Sequence, residues 1–464
     1  TRSSVEPFLT YSTRRDLREQ VWRRFVSRGD HQGEHDNKPL ITEILKLRAE
    51  RAKRLGYPTP AHWRHQNTMA KTPDHAMALM EAGWKPAVAR VREEVADMQA
   101  IVDADGGSFK IAPWDYRFYA EKVRKAKYDL DENEIKPYLQ LDRLREAMFW
   151  AAGQIYGFTF APAPDVPVYH PDVTAWEVKA ADGRHVALFF FDPYARAGKR
   201  SGAWMNAYRN QEHFERRITP IVSNNSNFMR AAAGAPVLVS WEDARTLFHE
   251  FGHALHGICS EVAYPSLSGT SVARDFVELP SQINERWLLT PEVLSRFARH
   301  HQTGQPMPAP LVERIKATSR FNQGFATVEF LASGLRDMKL HLAGDRAIDP
   351  ATAEREELEA LGMPSEIVMR HRLPQFAHIF SGDGYSSGYY SYLWADVLTA
   401  DAAEAFLEAG GLYDATVAAK FRKHILSAGN TADPAEAYRQ FRGRDAAIGA
   451  LMRDRGFPVP TGSC

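Results

Sequence analysis

The sequence predicts a mainly helical protein with one small β-sheet. Amphipathic stretches rich in Arg, Glu, Leu and Ala fill the first third of the chain, and β-branched and aromatic runs are confined to about 162–239. Sequence patterns typical of helices return after Trp241 and continue to about Phe441. With 464 residues, 44% of them hydrophobic, the chain is long enough for a large core and for two subdomains that face a cleft.

The helical stretches of the first third follow one another closely. We expect helix from about 14 to 54, where Gly56 is placed to end it, and again over 71–104 and 131–153. Segments such as AVARVREEVADMQAIV and LDRLREAMFWAAG repeat apolar residues at helical spacing. Their charged residues are typical of solvated helix faces rather than of binding patches.

The predicted sheet comes next along the chain. The runs VPVYHPDVTAWEV, HVALFFFDPY and PVLVSW are bounded by Pro, Gly and Asp, as strands commonly are. The apolar run 186–191 is typical of a buried strand and is far too short to cross a bilayer. We therefore expect no transmembrane helix and no membrane partner.

Charge content argues against some classes of partner, and cysteine content bears on the compartment. The 58 basic and 58 acidic residues cancel, so no net field would attract nucleic acid or an anionic membrane. The two cysteines, Cys259 and Cys464, predict no disulfide framework and are compatible with a cytoplasmic location. The chain begins with Thr1 rather than Met, so we expect a leader or an N-terminal segment to be missing, which leaves a periplasmic location open.

The segment SWEDARTLFHEFGHALHG contains the pattern His-Glu-x-x-His within a complete helix signal. Ser240 is a credible N-cap, and Asp243 stands three residues later as a short capping-box partner. Gly257 is placed to end the helix in a left-handed conformation. The predicted helix therefore spans 241–256.

The histidines of this pattern predict a metal site. His249 and His253 are one helical turn apart on the same face, so both imidazoles can reach one zinc ion. Glu250 is rotated away from that line and can act as a general base for water. An alternative is an ordinary helix with two satisfied histidines and an exposed glutamate, but Gly252 argues against it. A glycine inside a helix costs about 1 kcal/mol relative to alanine, which suggests close approach by another backbone or by substrate.

Spacing alone does not identify the third metal ligand. In the metzincin arrangement a glycine and a histidine would follow His253 at three and six residues, where this chain has His256 and Cys259. His256 lies about 4.5 Å further along the helix axis, so we interpret it as a packing residue or a support for the ligands. The acidic candidates downstream are Glu261, Asp275, Glu278 and Glu285.

Further motifs resemble a known family. The segments GTSVARDFVELPSQINE and FHEFGHALHG, with FDPYARAGKRSGAW and TPIVSNNSNF, resemble the thimet oligopeptidase family of zinc metallopeptidases, and within it the bacterial peptidyl-dipeptidases. The resemblance implies that Glu278 is the third ligand of one Zn²⁺ per chain. It also implies a neurolysin-like zincin fold, with a small sheet beside the zinc helix and a deep substrate channel. Pro280 indicates that the ligand lies at a helix start or kink.

The segment FAHIFSGDGYSSGYYSYLW is rich in tyrosine and glycine. Taken alone, it predicts a flexible loop that leads into an aromatic helix, and packing could account for its tyrosines. The resemblance implies a loop that closes over the cleft, with Tyr392 stabilising the oxyanion. It further implies that His378 takes part in catalysis and that Tyr385 and Tyr389 contact substrate.

The resemblance also implies the function and the domain organisation. We expect hydrolysis of short peptides with release of C-terminal dipeptides, by attack of zinc-bound water assisted by Glu250. The alternatives are an endo-acting oligopeptidase of the same family and a catalytically inactive peptide-binding fragment. Residues 1–160 would form part of the channel wall, and 161–464 would form the catalytic region, with zinc helices at about 241–290 and the loop at about 378–392. Relatives are longer at the N-terminus, so this missing segment is a candidate partner.

Three other side chains are candidates for a functional role. Lys199 and Arg200 could bind a substrate carboxylate, but a solvated turn after a strand is the favoured interpretation. Cys259, just past the motif helix, is interpreted as a small packed residue rather than a nucleophile.

Overall fold

A computed structural model describes residues 2–200 and 202–459. The described chain is mostly helical with one small sheet, which confirms the predicted fold class at this level. It forms two compact units. The first comprises Thr1–Asp129, Ala317–Trp394 and Met452–Cys464, and the second comprises Leu130–Lys316 and Ala395–Leu451. The predicted division after residue 160 falls inside the second unit, and the roles assigned to its two parts stay predictions.

The helices in chain order are α1 (Arg2–Tyr11), α2 (Arg15–Val26), α3 (Lys38–Arg54), α4 (Pro60–His65), α5 (Pro73–Ala104), α6 (Tyr116–Tyr128), α7 (Glu132–Ile135), α8 (Leu141–Tyr156), α9 (Trp241–Ile258), α10 (Leu279–Asn284), α11 (Pro291–Phe297), α12 (Ala309–Ala317), α13 (Gln323–Leu342), α14 (Pro350–Ala360), α15 (Ala377–Phe380), α16 (Ser391–Glu408), α17 (Ala415–Phe421), α18 (Pro434–Arg442) and α19 (Ile448–Arg455). Among the described residues, none of these helices is both long enough and apolar enough to cross a bilayer.

The first unit is helical. Its long helices α5 and α13 pack along each other. Glu94 of α5 accepts the backbone N–H groups of Gly324 and Phe325 at the start of α13, at 2.8 and 2.9 Å. The helix predicted over 14–54 is in fact two helices, because Gly29 and Gly33 adopt positive φ angles of 71° and 96° between them. Gly56 has φ of 85° just after α3, as predicted for a helix end.

The second unit contains the sheet. Its strands are β1 (Thr159–Pro162), β2 (Thr174–Lys179), β3 (His185–Tyr194), β4 (Trp204–Arg209) and β5 (Ile221–Phe228), in the spatial order β1-β2-β3-β5-β4. The β3–β5 pair is parallel and the other pairs are antiparallel. β3 is central and mostly buried, which confirms the strand predicted over 186–191. The buried face of the sheet therefore comes from the apolar run singled out in the sequence.

Two of the predicted strand runs differ from the structure. In VPVYHPDVTAWEV only the part from Thr174 is a strand, since the prolines before it cannot donate to a ladder. PVLVSW forms no strand of the sheet. It pairs instead with the segment before α8, where Leu141 N–H donates to the Val237 carbonyl at 2.9 Å and Val239 N–H donates to the Leu139 carbonyl at 3.0 Å.

Helix α9 packs on this sheet. The Phe251 ring lies 5.5 Å from Phe189 of β3 and 5.7 Å from Phe160 of β1, centroid to centroid. The prediction that Gly257 ends the helix was wrong, because α9 continues to Ile258. A Cβ atom at Gly257 would lie 2.9 Å from Val222 and 3.0 Å from Met205. This glycine therefore allows close packing of the helix against the sheet.

Candidate metal centre

The start of α9 is fixed by a reciprocal pair of hydrogen bonds. Asp243 N–H donates to Ser240 Oγ at 3.0 Å, and Ser240 N–H donates to Asp243 Oδ2 at 3.2 Å. This confirms the capping box predicted from the sequence. The helix therefore begins at a defined residue, which sets the direction of the side chains further along it.

Three potential metal ligands converge in the second unit. The imidazole Nε2 atoms of His249 and His253 each lie 3.2 Å from Glu278 Oε2. Glu278 is the residue before α10, and Pro280 is in the first turn of that short helix, as predicted. The ligand atoms of the three residues all lie within 4.8 Å of one another. The two helices thus bring together the two histidines of the motif and the glutamate that the family resemblance implies.

The donor set fits a zinc ion. Zinc in proteins commonly binds imidazole nitrogen and carboxylate oxygen at about 2.0–2.2 Å, which places tetrahedral ligand atoms about 3.4 Å apart. Burial alone would raise the pKa of Glu278, but the charges and hydrogen bonds of His253 and His249 hold it well below its ordinary value. The Glu278 carboxylate therefore lies in its charged form where a cation would stabilise it.

The outer nitrogen of His249 is held by a second carboxylate. Nδ1 of His249 lies 2.8 Å from Glu285 Oε1, and the other oxygen of Glu285 lies 2.6 Å from Arg245 Nη2. Glu285 therefore orients the imidazole from behind, as carboxylates commonly do for metal-binding histidines. Of the four acidic candidates, only Glu278 belongs to the cluster of potential ligands among the described residues.

Glu250 is placed beside this cluster without belonging to it. Its side chain is buried, with 6% of its surface exposed. Its Oε2 atom has no hydrogen-bond partner among the described residues. Burial raises the pKa of the Glu250 carboxyl above its ordinary value, against the opposing charges of the two histidines. A buried carboxylate with a vacant acceptor position can take a proton from a water molecule.

Two asparagines and a glycine hold α9 in place, and the asparagines were not predicted. Asn284 of α10 donates to the Phe248 carbonyl at 2.6 Å, and Asn224 of β5 donates to the Glu250 carbonyl at 2.6 Å. At Gly252 a Cβ atom would collide with the carbonyl oxygen of Pro280. This confirms the close backbone approach predicted for Gly252. Asn224 lies in the polar stretch SNNSN and Asn284 in PSQINE, so no local pattern distinguished either of them from its polar neighbours.

Among the described residues, His256 has no carboxylate partner such as the one that Glu285 provides for His249. It is fully buried, and neither ring nitrogen has a hydrogen-bond partner among the described residues. Burial lowers its pKa to about 3, so the ring is neutral. These features agree with the interpretation of His256 as a packing residue.

The predicted tyrosines and His378 form one aromatic cluster in the first unit. Tyr385 and Tyr392 stack with their centroids 5.7 Å apart, and their hydroxyl groups are 3.2 Å apart. The His378 ring lies 5.9 Å from Tyr385 and 5.4 Å from Tyr389. Tyr389 is only 3% exposed and stacks on Phe330. Of the four, Tyr389 is the residue most engaged in the core, and the roles of all four stay predictions.

The lower-ranked candidates have structural partners. Lys199 Nζ donates to the Asp192 carboxylate at 2.9 Å and to the Tyr194 carbonyl at 2.9 Å. Its positive charge is therefore compensated by Asp192. Arg200 lies over the Trp204 ring, 4.9 Å from its centroid. Cys259 is a buried free cysteine, as expected for a packed residue, and Cys464 lies outside the described residues.

Comparison with known proteins adds the decisive observation. The model of peptidase family M3 matches residues 8–457 of this chain. The chain belongs to peptidase family M3. This confirms the resemblance carried by the FHEFGHALHG and DFVELPSQ motifs, and it makes this M3 chain a metallopeptidase.

Individual relatives agree with this membership. Dipeptidyl carboxypeptidase of Salmonella typhimurium is 40% identical over 459 residues, which cover 98% of this M3 chain and 67% of the relative. Oligopeptidase A of Escherichia coli K12 is 33% identical over 465 residues, covering 98% and 68%. Among solved structures, metallocarboxypeptidase 1 of Trypanosoma cruzi has a TM-score of 0.53 at 13% identity, over 97% of this chain and 79% of that chain. This last similarity concerns the fold alone.

Proposed function

We propose that this M3 peptidase is zinc-dependent and releases dipeptides from the C-termini of short peptides. The observation that carries the proposal is the convergence of His249, His253 and Glu278, with the buried Glu250 beside them. The 40% identity with a protein named dipeptidyl carboxypeptidase supports the choice of reaction. A neurolysin-like zincin fold with a deep channel is part of the proposal, because a channel would admit short peptides and exclude folded proteins.

His249, His253 and Glu278 would hold one zinc ion per chain. When bound, zinc acidifies water and polarises a peptide carbonyl. Glu285 keeps the imidazole of His249 turned toward the ligand cluster through its 2.8 Å contact with Nδ1. Two nitrogen ligands and one oxygen ligand from the protein leave room for water or substrate, as in catalytic rather than structural zinc sites.

Glu250 would act as the proton carrier of the reaction. Its Oε2 atom, which has no partner among the described residues, accepts the proton that water loses when it attacks the peptide carbonyl. The carboxyl group then gives this proton to the leaving amine. The amide of Asn224, which donates to the Glu250 carbonyl, holds the backbone of this residue in place during both transfers.

Tyr392 would stabilise the oxyanion of the tetrahedral intermediate. A hydroxyl group with a fixed orientation lowers the barrier because it needs no reorganisation as charge develops. The neighbouring hydroxyl of Tyr385, 3.2 Å away, supports this orientation and can contact substrate. We propose that His378 contacts the transition state and that Tyr389 contacts substrate, as the family resemblance implies.

A second candidate is endo-acting hydrolysis of oligopeptides. It is favoured by the 33% identity with oligopeptidase A, which covers the same 98% of this chain. The two activities differ in one requirement, since release of a dipeptide needs recognition of the free carboxylate two residues beyond the cut.

Product analysis of one defined peptide separates these functions. We would incubate a ten-residue peptide and its C-terminally amidated twin with the enzyme and identify the products by mass spectrometry. A peptidyl-dipeptidase yields successive losses of two residues from the free acid and loses most of its activity on the amide. Equal internal cleavage of both peptides would indicate the endo-acting alternative, and no cleavage of either would indicate an inactive peptide-binding protein. Glu250→Gln serves as the control for contaminating peptidases.

A further inference from the structure

Loop 381–390, which joins α15 to α16, is held by a buried carboxylate. Asp337 of α13 is 1% exposed, and each of its oxygens accepts a backbone N–H of the loop. Ser387 N–H donates to Oδ1 at 2.9 Å and Tyr389 N–H donates to Oδ2 at 2.9 Å. Two charge-assisted bonds from one side chain fix residues 387 and 389 relative to each other and to α13.

The backbone at Ser387 needs this support. Its φ angle is 54°, in the left-handed region that non-glycine residues rarely adopt. The Ser387 hydroxyl also contacts Met338 Sδ at 3.2 Å, so α13 holds both the backbone and the side chain of this residue. The turn that precedes Tyr389 is therefore defined by α13 rather than by the loop itself.

The other end of the loop is held by Arg48 of α3. Arg48 Nη2 donates to the Gly382 carbonyl at 2.9 Å, and its Nε lies 3.1 Å from Asp383 Oδ1. Arg64 Nη2 donates to the Gly384 carbonyl at 3.1 Å. The glycines of this segment are thus held in place by cationic side chains from α3 and α4.

His341 connects the two ends. Its Nε2 lies 3.1 Å from Arg48 Nη1, and its Nδ1 lies 2.9 Å from both the backbone carbonyl oxygen and Oδ1 of Asp337. Because a guanidinium group can only donate, Nε2 accepts from Arg48, and Nδ1 carries the proton and donates to the Asp337 carbonyl beside the carboxylate. Asp337, His341 and Arg48 therefore form one buried hydrogen-bonded chain, named here the Asp337–His341–Arg48 chain.

The loop in turn positions the tyrosine hydroxyl groups. Tyr385 projects from the middle of the loop and stacks on Tyr392 with an interplanar angle of 3°. Tyr389 packs against the side of the Tyr392 ring, with centroids 5.6 Å apart. A buried chain of charged groups is seldom more stabilising than apolar side chains of the same volume. Its effect on the position of these rings is therefore more important than its effect on stability.

We propose that Asp337 is a positioning residue for peptide hydrolysis, which acts through the Asp337–His341–Arg48 chain to hold Tyr385 and Tyr392 in their reactive geometry. This inference rests on the function proposed for Tyr392. Asp337 itself touches the loop backbone and not the substrate. Its loss should therefore lower kcat more than it changes KM, since the tyrosine acts on the transition state.

The test replaces Asp337 by asparagine, which keeps the shape of the side chain. An asparagine can accept from one N–H group but presents an NH₂ group to the other, so the turn at Ser387 loses one of its two bonds. We expect kcat of Asp337→Asn to fall about 10- to 100-fold, the range produced by small misplacements of reacting groups. The bound metal should stay at the wild-type amount, because the ligands lie on other elements.

A double variant shows whether Asp337 acts through the tyrosine. If it does, Asp337→Asn combined with Tyr392→Phe should have the kcat of Tyr392→Phe alone, within about twofold. If the two residues acted independently, the losses of kcat in the two single variants would multiply in the double variant. Multiplied losses, or an unchanged kcat for Asp337→Asn, would overturn the inference. An unchanged kcat for Tyr392→Phe alone would instead remove the proposed role of the tyrosine.

A matched control separates positioning from stability. Glu94 is also a carboxylate of the first unit that accepts two backbone N–H groups, at 2.8 and 2.9 Å, but it does so at the opposite end of α13. Glu94→Gln should lower the thermal midpoint and retain wild-type kcat. If Asp337→Asn does not fold, Arg48→Lys provides the second variant, because lysine keeps the charge but cannot reach His341, Gly382 and Asp383 together. An equal loss of kcat in Glu94→Gln, or full kcat in Arg48→Lys, would contradict the proposal.

Discussion

Gly252 of α9 lies against the backbone of Ser281 in α10, so closely that a Cβ atom at residue 252 would be 2.6 Å from Ser281 Cα. Any side chain at this position would force the two helices apart. The distance from Glu278 to His249 and His253 depends on this contact, because Glu278 immediately precedes α10. The missing side chain of Gly252 therefore contributes directly to the metal centre.

Gly252→Ala should weaken metal binding. We expect affinity for Zn²⁺ to fall about 10- to 100-fold, as found when groups that support metal ligands are changed. Competition with a chelator of known affinity measures this. Gly83→Ala is the control, since a Cβ atom there would lie 3.3 Å from the flexible end of the Leu331 side chain, and its metal affinity should be unchanged. Wild-type affinity in Gly252→Ala would show that α10 can move without disturbing the ligands.

Glu278 and Glu285 should differ in their effects on the metal. Glu278→Ala removes a proposed ligand and should abolish stoichiometric zinc binding. Glu285→Ala removes no proposed ligand but takes away the partner of His249 Nδ1 and of Arg245, so we expect a loss of about 10- to 100-fold. Zinc titration of both variants is the measurement. A larger loss in Glu285→Ala than in Glu278→Ala would mean that the wrong carboxylate has been assigned as the ligand.

Ser240→Ala should destabilise the protein without changing the chemistry. Loss of an N-cap side chain typically costs about 1 kcal/mol, and here it also removes the partner of Asp243 N–H. The denaturation midpoint should fall while kcat of the folded enzyme is kept. Thr246→Ala on the same helix is the control, because its hydroxyl only bonds the Glu242 carbonyl within the helix. A midpoint equal to that of Thr246→Ala would argue against the capping box as a source of stability.

Local signals in the sequence predicted the geometry of α9 well. The capping box spans four residues, and the spacing of His249 and His253 is a property of the helix itself. Close backbone approach at Gly252 could also be predicted, since a glycine inside a helix has a cost that another contact must offset. These features could be predicted because their signals lie within the sequence of one helix, although the backbone that approaches Gly252 belongs to α10.

Features that depend on distant contacts could not be predicted. Gly257 was interpreted as a helix end. A glycine is needed there because Val222 and Met205, on two strands that precede it in the chain, pack too closely for a side chain. The donors Asn224 and Asn284 reach the carbonyls of Glu250 and Phe248 across 26 and 36 residues of sequence. Pairings at this separation leave no periodic pattern.

Glu250→Gln should separate metal binding from turnover. Glutamine keeps the size of the side chain but cannot accept and return a proton, so kcat should fall by at least about 100-fold. Zinc binding should stay at one equivalent, because Glu250 lies outside the ligand cluster. Residual activity near the wild-type level would remove the proton-carrier role of Glu250.

Zinc reconstitution tests the central claim most directly. The protein would be stripped with a chelator and titrated with Zn²⁺, with bound metal and hydrolysis of one defined peptide measured at each step. We predict that activity returns in proportion to metal and saturates at one equivalent per chain, and that Glu278→Ala neither binds stoichiometrically nor recovers activity. Full hydrolysis by the stripped protein, or stoichiometric zinc in Glu278→Ala, would contradict the proposed metal centre.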